Sequence, residues 1–134
     1  SILTSGPNLA LELIKKSMLN VMLIGGVLNR NTISISGANA TSFLNGVNID
    51  TAFMAASGFS LQNGFTSGTY SECELKQEVL RRASSVIMLM DSSKCGKSLP
   101  YTFGTLKDID VLVSDDNLPE EIKAAAAENG VTVI

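Results

Sequence analysis

The sequence predicts an α/β protein built on an open, mostly parallel sheet with flanking helices. Short runs rich in Val, Ile, Leu and Met recur along the chain, helical stretches lie between them, and the runs are apolar without a break. Continuous apolar runs suit strands buried on both faces of a parallel sheet, whereas half-solvated strands alternate apolar with polar residues. Strand, helix and strand in repetition then imply right-handed crossovers.

The strands are expected at Ser1–Thr4, Asn20–Ile24, Thr51–Ala56, Ser85–Met90, Asp110–Val113 and Val131–Ile134. Pro7 opens the first helix, where its missing N–H costs nothing, and Leu9, Leu11, Leu13 and Ile14 supply its apolar side. Ser71 is placed to cap the next helix, with Glu74 three residues on as a capping box and Leu75, Val79, Leu80 and Ala83 as the buried stripe. Pro119 starts the last helix, Glu120 and Glu121 favour its positive end, and Asn129-Gly130 stops it.

Composition narrows the function. A chain of 134 residues is near the usual size of one domain, and no linker or repeat divides it. At 45% hydrophobic and 17% charged residues, with a mean hydropathy of +0.24, it has apolar residues enough for a packed core. A net charge of −3 argues against this chain itself gripping nucleic acid. No apolar run approaches the ~18 residues that a membrane span requires. Histidine is absent, so histidine bases and histidine metal ligands are excluded, and Cys73 with Cys95 is too few for a disulfide framework or a four-ligand zinc site. A reducing cytoplasm is the expected compartment. The chain begins at Ser1 without a signal-peptide pattern and reads as a segment of something longer.

Charge is unevenly spread. Of 23 charged residues only Glu12, Lys15, Lys16, Arg30 and Asp50 precede Glu72. The charge-poor stretch 33–47 suits either a hydroxyl- and amide-rich surface or a subunit interface, since interface cores are depleted in charge.

Open parallel sheets bind ligands beyond the carboxyl ends of their strands. The residues expected there are Thr4-Ser5-Gly6, Gly25-Gly26, Ser57-Gly58 and Asp91-Ser92-Ser93-Lys94. Backbone N–H groups exposed by small residues, together with one lysine, suit an anionic, phosphate-like ligand. Asp91 leaves the sheet where it can orient a sugar hydroxyl while Lys94 pairs with a phosphate; an N-cap beside a solvated lysine is the plainer alternative. Glu72, Glu74, Lys76 and Glu78 share one helix start, either bordering the same cleft or acting as a surface ion-pair ladder. Gly96-Lys97-Ser98 is not the tail of a P-loop, because Asp91 stands where that motif needs glycine.

Five segments in order carry a resemblance: Leu23–Arg30, Asp50–Gly58, Glu74-Leu75-Lys76, Asp91-Ser92-Ser93-Lys94 and Leu106–Asp115. Together they resemble the C-terminal effector domain of DeoR-type bacterial transcriptional regulators over essentially the whole chain. Cys95 departs from the bulky aromatic that the family pattern carries after its lysine. The resemblance implies a Rossmann-like fold akin to ribose-5-phosphate isomerase, glucosamine-6-phosphate deaminase and coenzyme A transferase. It implies a sensor of phosphorylated sugars, without turnover; no cofactor is expected, and the charge-poor first half predicts that the chain self-associates as a homo-oligomer. It also implies a preceding winged helix-turn-helix that binds operator DNA, and a first sensor strand with a phosphate loop, both lying before Ser1. By this match Thr4 and Ser5 face ligand hydroxyls or phosphate. Asp50 is the acidic position before the central strand, Glu74 with Lys76 the acidic–basic helix start, and Asp91 with Lys94 the Asp-x-Ser-Lys turn. Gly25, Gly26 and Gly58 complete the expected ligand-binding set. A sugar-phosphate isomerase is the alternative, kept open by the carboxylates Asp50, Glu72, Glu74 and Asp91.

Overall fold

In the computed structural model, which describes residues 1–134, the chain forms two units, Ser1–Val47 and Asn48–Ile134. The first unit runs β1 (Ile2–Thr4), α1 (Pro7–Lys16), β2 (Val21–Leu23), β3 (Val27–Asn29), β4 (Ser34–Ser36) and α2 (Ala38–Phe43). The second runs β5 (Ile49–Met54), β6 (Gly58–Ser60), β7 (Gly64–Ser67), α3 (Tyr70–Arg82) and β8 (Ala83–Leu89). It continues through β9 (Tyr101–Gly104), β10 (Val111–Val113), α4 (Glu120–Glu128) and β11 (Thr132–Val133).

Within the first unit β1 and β2 pair in parallel, Ile2 beside Val21 and Thr4 beside Leu23, with α1 as the crossover between them. β3 and β4 form an antiparallel hairpin. Its loop is held by Asn29, whose Oδ1 accepts from the Asn31 and Thr32 amides at 2.8 and 3.2 Å. Such an aspartate- or asparagine-type turn replaces missing ladder bonds with side-chain ones. Gly26 has to be glycine at the hairpin's entry, since a Cβ there would stand 2.6 Å from the Ser36 carbonyl.

Helix α1 starts at Pro7 as expected, but its apolar residues do not pack as a stripe. Ala10 is its one buried residue, and Leu9, Leu11 and Ile14 are all exposed. Leu9 and Leu11 lie two apart, which on a 3.6-residue turn sends them to different sides, whereas Ile14 lies one turn beyond Ala10 on the same side and is exposed all the same.

The second unit holds a four-stranded sheet in the order β11-β10-β8-β5, every neighbouring pair parallel. The register sets Ala52 beside Val86 and Met54 beside Met88. These residues are buried, in one core with Leu112 from β10, Cys73 from α3, and Ile122 and Ala126 from α4. On the opposite face Thr51 and Phe53 are exposed, and Ile87 and Val113 are only partly covered. The apolar runs therefore make parallel strands, as expected, yet bury one face here rather than both. Right-handed crossovers account for this: the strands advance in one direction from β5 through β8, so successive helices fall on the same side.

A three-stranded antiparallel sheet, β6-β7-β9, completes this unit. Phe59, Phe65 and Phe103 come from its three strands and stack in sequence, with centroids 4.6 and 6.1 Å apart. Helix α3 begins two residues earlier than Ser71 suggested, because the Thr69 side chain accepts from the Glu72 amide and caps it. Leu75 on α3 is buried, with Val79 and Leu80 partly so. Helix α4 behaves as expected, with Pro119 at its N-cap, Asn129 at its C-cap, and Gly130 at φ +71° ending the chain's last turn. Thr69→Ala leaves a helix-start N–H without its acceptor and is expected to lower stability by about 1 kcal/mol in urea unfolding; an unchanged midpoint would remove Thr69 from the capping role.

Candidate functional site

Each unit brings part of the expected set together. In the first, Thr4 ends β1, and its carbonyl accepts from the Ile24 amide at 2.9 Å, which ties the ends of β1 and β2. Thr4 Oγ1 accepts from the Gly6 amide at 3.1 Å, and the Ser5 carbonyl accepts from the Ile35 amide at 2.8 Å. Thr4, Ser5, Gly25 and Gly26 thus share one rim, that of the β1–β2 pair. Gly25 is exposed, with nothing within 4 Å of a Cβ placed on it.

In the second unit the rim is made where β5, β8 and β10 end. The β8 chain runs into Asp91 and one 3₁₀ turn, Ser92–Lys94. Asp91 Oδ1 accepts from the Ser93 amide at 2.9 Å and from the Ser93 hydroxyl. Asp115, just past β10, closes on the same turn: its Oδ2 accepts from the Ser92 amide and the Ser92 hydroxyl, both at 3.0 Å. Asp115 Oδ1 accepts from the Asn117 amide at 2.9 Å. Asp91 is thus a cap, as the plainer reading had it, but the turn it caps is clamped to a second strand end. Lys94 takes part in none of the chain's ion pairs and is half-buried.

Gly58 lies against the continuation of that turn. A Cβ on it would meet the Lys97 carbonyl at 2.6 Å and a Leu99 methyl at 2.7 Å. Buried Thr66 joins the same segment, donating to the Gly58 carbonyl at 3.3 Å and accepting from the Leu99 amide at 3.0 Å. The glycine is thus needed for close backbone packing behind the turn.

Lys76 reaches from α3 to the end of β5, where its Nζ donates to the Ala55 carbonyl at 2.8 Å. The amine lies 4.9 Å from the centre of the Phe103 ring. Burial pushes its pKa below the ordinary lysine range, and the nearby Glu72 carboxylate, itself buried, opposes that shift. Glu74 is exposed on the next part of α3. Asp50 stands apart from these: it is exposed near the amino end of β5, the opposite end from Ala55.

The residue that sequence reasoning passed over is Asp115. An aspartate directly after an apolar strand was a visible signal, but only the folded β8–β10 pairing shows that it holds the Ser92 amide. Ser114 beside it was also passed over; together with Lys123 and Val131 they line a hollow of about 460 Å³. A second hollow, about 330 Å³, lies between Gln77, Arg81 and Phe103. No residue of the expected binding set lines either hollow.

A parallel α/β unit with hydroxyl, carboxylate and lysine groups beyond its strand ends has the layout of a small-molecule-binding domain. The model of the family described as DeoR C terminal sensor domain matches residues 1–116, and the chain belongs to that family. It is 30% identical over 131 residues to the HTH-type transcriptional regulator GlpR of Haloferax volcanii, covering 98% of this chain and 51% of that protein. It is 27% identical over 133 residues to the HTH-type transcriptional regulator GolR of Listeria innocua, covering 99% and 52%. Over 121 residues it is 29% identical to the HTH-type transcriptional repressor GlcR of Bacillus subtilis, covering 90% and 46%. The chain spans about half the length of the curated relatives it matches. It is a regulator's sensor domain and not an enzyme, which sets the isomerase alternative aside. No helix is long and apolar enough to cross a membrane.

Two outcomes test this geometry. Gly58→Ala forces the Lys97–Leu99 segment outward and is expected to cost about 1–3 kcal/mol in thermal unfolding; a neutral effect would mean that segment is not packed as described. The Ser92 amide, then the Asn117 amide, hold the Asp115 carboxyl below its ordinary value of 3.8. A carboxylate depressed in the folded state stabilises it above the unfolded pKa, and that contribution is lost as pH falls through the folded value. Asp115→Asn should therefore be less stable than the parent at pH 7 and converge with it near pH 2. Parallel stability curves for the two proteins across that range would contradict the clamp.

Proposed function

We propose that this chain is the effector-sensing part of a transcriptional repressor of sugar catabolism and that its ligand is a phosphorylated sugar. The observation that carries the reading is the turn Asp91–Lys94, held by Asp115 at the carboxyl rim of a parallel sheet, with a lysine outside every ion pair of the chain. Lys94 supplies charge for a phosphate, and Asp91, whose Oδ1 alone is engaged by Ser93, has its second carboxylate oxygen to accept from a sugar hydroxyl. Within the first unit, Thr4, Ser5, Gly25 and Gly26 form a rim of hydroxyls and small residues that suits the same class of ligand. Lys76, reaching the end of β5, and Gly58, against the Lys97–Leu99 segment, lie behind the turn, and Asp50, at the other end of β5, is left out of the site. The repressor role is supported by the name of one relative, a transcriptional repressor.

In the complete protein a winged helix-turn-helix outside residues 1–134 reads operator DNA in the cytoplasm. The chain assembles with copies of itself, for which the charge-poor first unit, with Leu9, Leu11, Ile14 and Val27 exposed, supplies suitable surface. A ligand shifts such an assembly only through unequal affinity for its two arrangements, so effector binding has to favour the one that releases operator.

The test is operator release by the full-length protein, titrated with a panel of sugar phosphates and their unphosphorylated parents. Only phosphorylated compounds are expected to act. Lys94→Ala is expected to raise the effective concentration about 10- to 100-fold, the equivalent of one charge-assisted hydrogen bond, with the melting temperature unchanged. Equal response to parent sugars, or an unaltered titration in the variant, would reject the reading.

A further inference from the structure

The hollow of about 460 Å³ between the end of β10, α4 and β11 has the size of a small-molecule site. Such sites combine an apolar floor with a few placed polar groups. Here the floor is Ala127, Val131, Val133 and Ile134, and the polar groups are Ser114, Asp115, Asp116 and Lys123. These four are not equally free. Both carboxylate oxygens of Asp115 are engaged, one by Ser92 and the other by the Asn117 amide. Asp116 is exposed and takes part in none of the chain's ion pairs. Half-buried Lys123 meets the exposed Glu120 at 3.2 Å, a surface pairing too weak to hold the amine against a better partner. The Ser114 hydroxyl is shut off from solvent and has no hydrogen-bond partner, which folded proteins ordinarily avoid.

The geometry points to a second ligand site in this hollow, one that takes a small aliphatic amino acid. The ligand's ammonium meets the uncommitted Asp116 carboxylate, and its carboxylate draws Lys123 away from Glu120. Its side chain lies on Val131 and Val133, where burial of apolar surface adds to the binding. Because Ser114 itself lines the hollow, a ligand seated there offers its hydroxyl a partner within one χ1 rotation. Charge selects the zwitterion. Asp115, Asp116 and Glu120 stand around a single lysine, so an anion such as a phosphorylated sugar is repelled, while the lysine opposes a bare amine. The hollow shares Asp115 with the turn after β8, so its occupant touches the residue that holds Ser92. Neither Asp91 nor Lys94 lines it, and the inference is independent of what binds at the rim.

Calorimetric titration of the full-length protein with leucine, without effector, tests it. Leucine is expected to bind saturably below about 10 mM. Asp116→Asn and Lys123→Ala are each expected to weaken that binding at least about 10-fold, with the melting temperature of the unliganded protein unchanged. Isopentylamine and isocaproate keep the leucine side chain and one charge each, and both are expected to bind at least about 10-fold more weakly than leucine. Absence of saturable binding, unchanged binding in either variant, or equal binding of either single-charge analogue would overturn the inference.

Discussion

The parallel pairing of β5 with β8 is the constraint on which most of the second unit depends. Its register puts Ala52 and Met54 level with Val86 and Met88, and that patch of buried side chains is what α3 and α4 cover. The same pairing brings the ends of both strands to one side. Ala55 is there to receive Lys76, and the turn after β8 is there to receive Asp115. A slip of one residue would exchange the buried and exposed faces of β5 and bury Phe53 where Met54 now packs. Core and rim are thus two results of one register.

The rim is stiff for reasons that lie in short-range chemistry. Asp91 is spent on its own turn, through Ser93, and Asp115 on two successive segments, through Ser92 and Asn117. Each carboxyl is held in its charged form by the donors around it, Asp91 first by the Ser93 hydroxyl and Asp115 first by the Ser92 amide. Lys94 emerges from this arrangement with its backbone fixed and its ammonium uncommitted. Geometry of that kind orients a ligand at little entropic cost, because the groups meeting it are already in place.

Much of this was legible in the residues. Unbroken apolar runs located six strands to within a residue or two, and Pro7, Pro119 and Asn129-Gly130 marked helix ends whose physics is local. The family followed from motifs in order. Three kinds of feature were not legible. The antiparallel sheet of β6, β7 and β9 is built from short, glycine-led segments such as Gly58-Phe59-Ser60, and their burial comes from aromatic stacking across the sheet. The cap of α3 went to Thr69 over Ser71 because several nearby hydroxyls offer equivalent local signals. The bond from Asp115 to Ser92 joins residues 23 apart and exists only once β8 and β10 pair. Among the expected site residues, Asp50 was chosen for its place in a motif, and strand direction alone sets it at the end of β5 opposite Ala55.

The backbone behind the turn is anchored from inside by Thr66. Wholly enclosed, its hydroxyl links the Gly58 carbonyl to the Leu99 amide, so one side chain inside the molecule anchors the stretch of backbone that trails the Asp-x-Ser-Lys turn. Valine has the same outline without the oxygen and would leave both backbone groups orphaned while disturbing nothing that a solute can reach. The backbone that trails the turn is therefore anchored by an internal residue, and a single change inside the molecule can loosen it while every exposed group of the rim stays as it is.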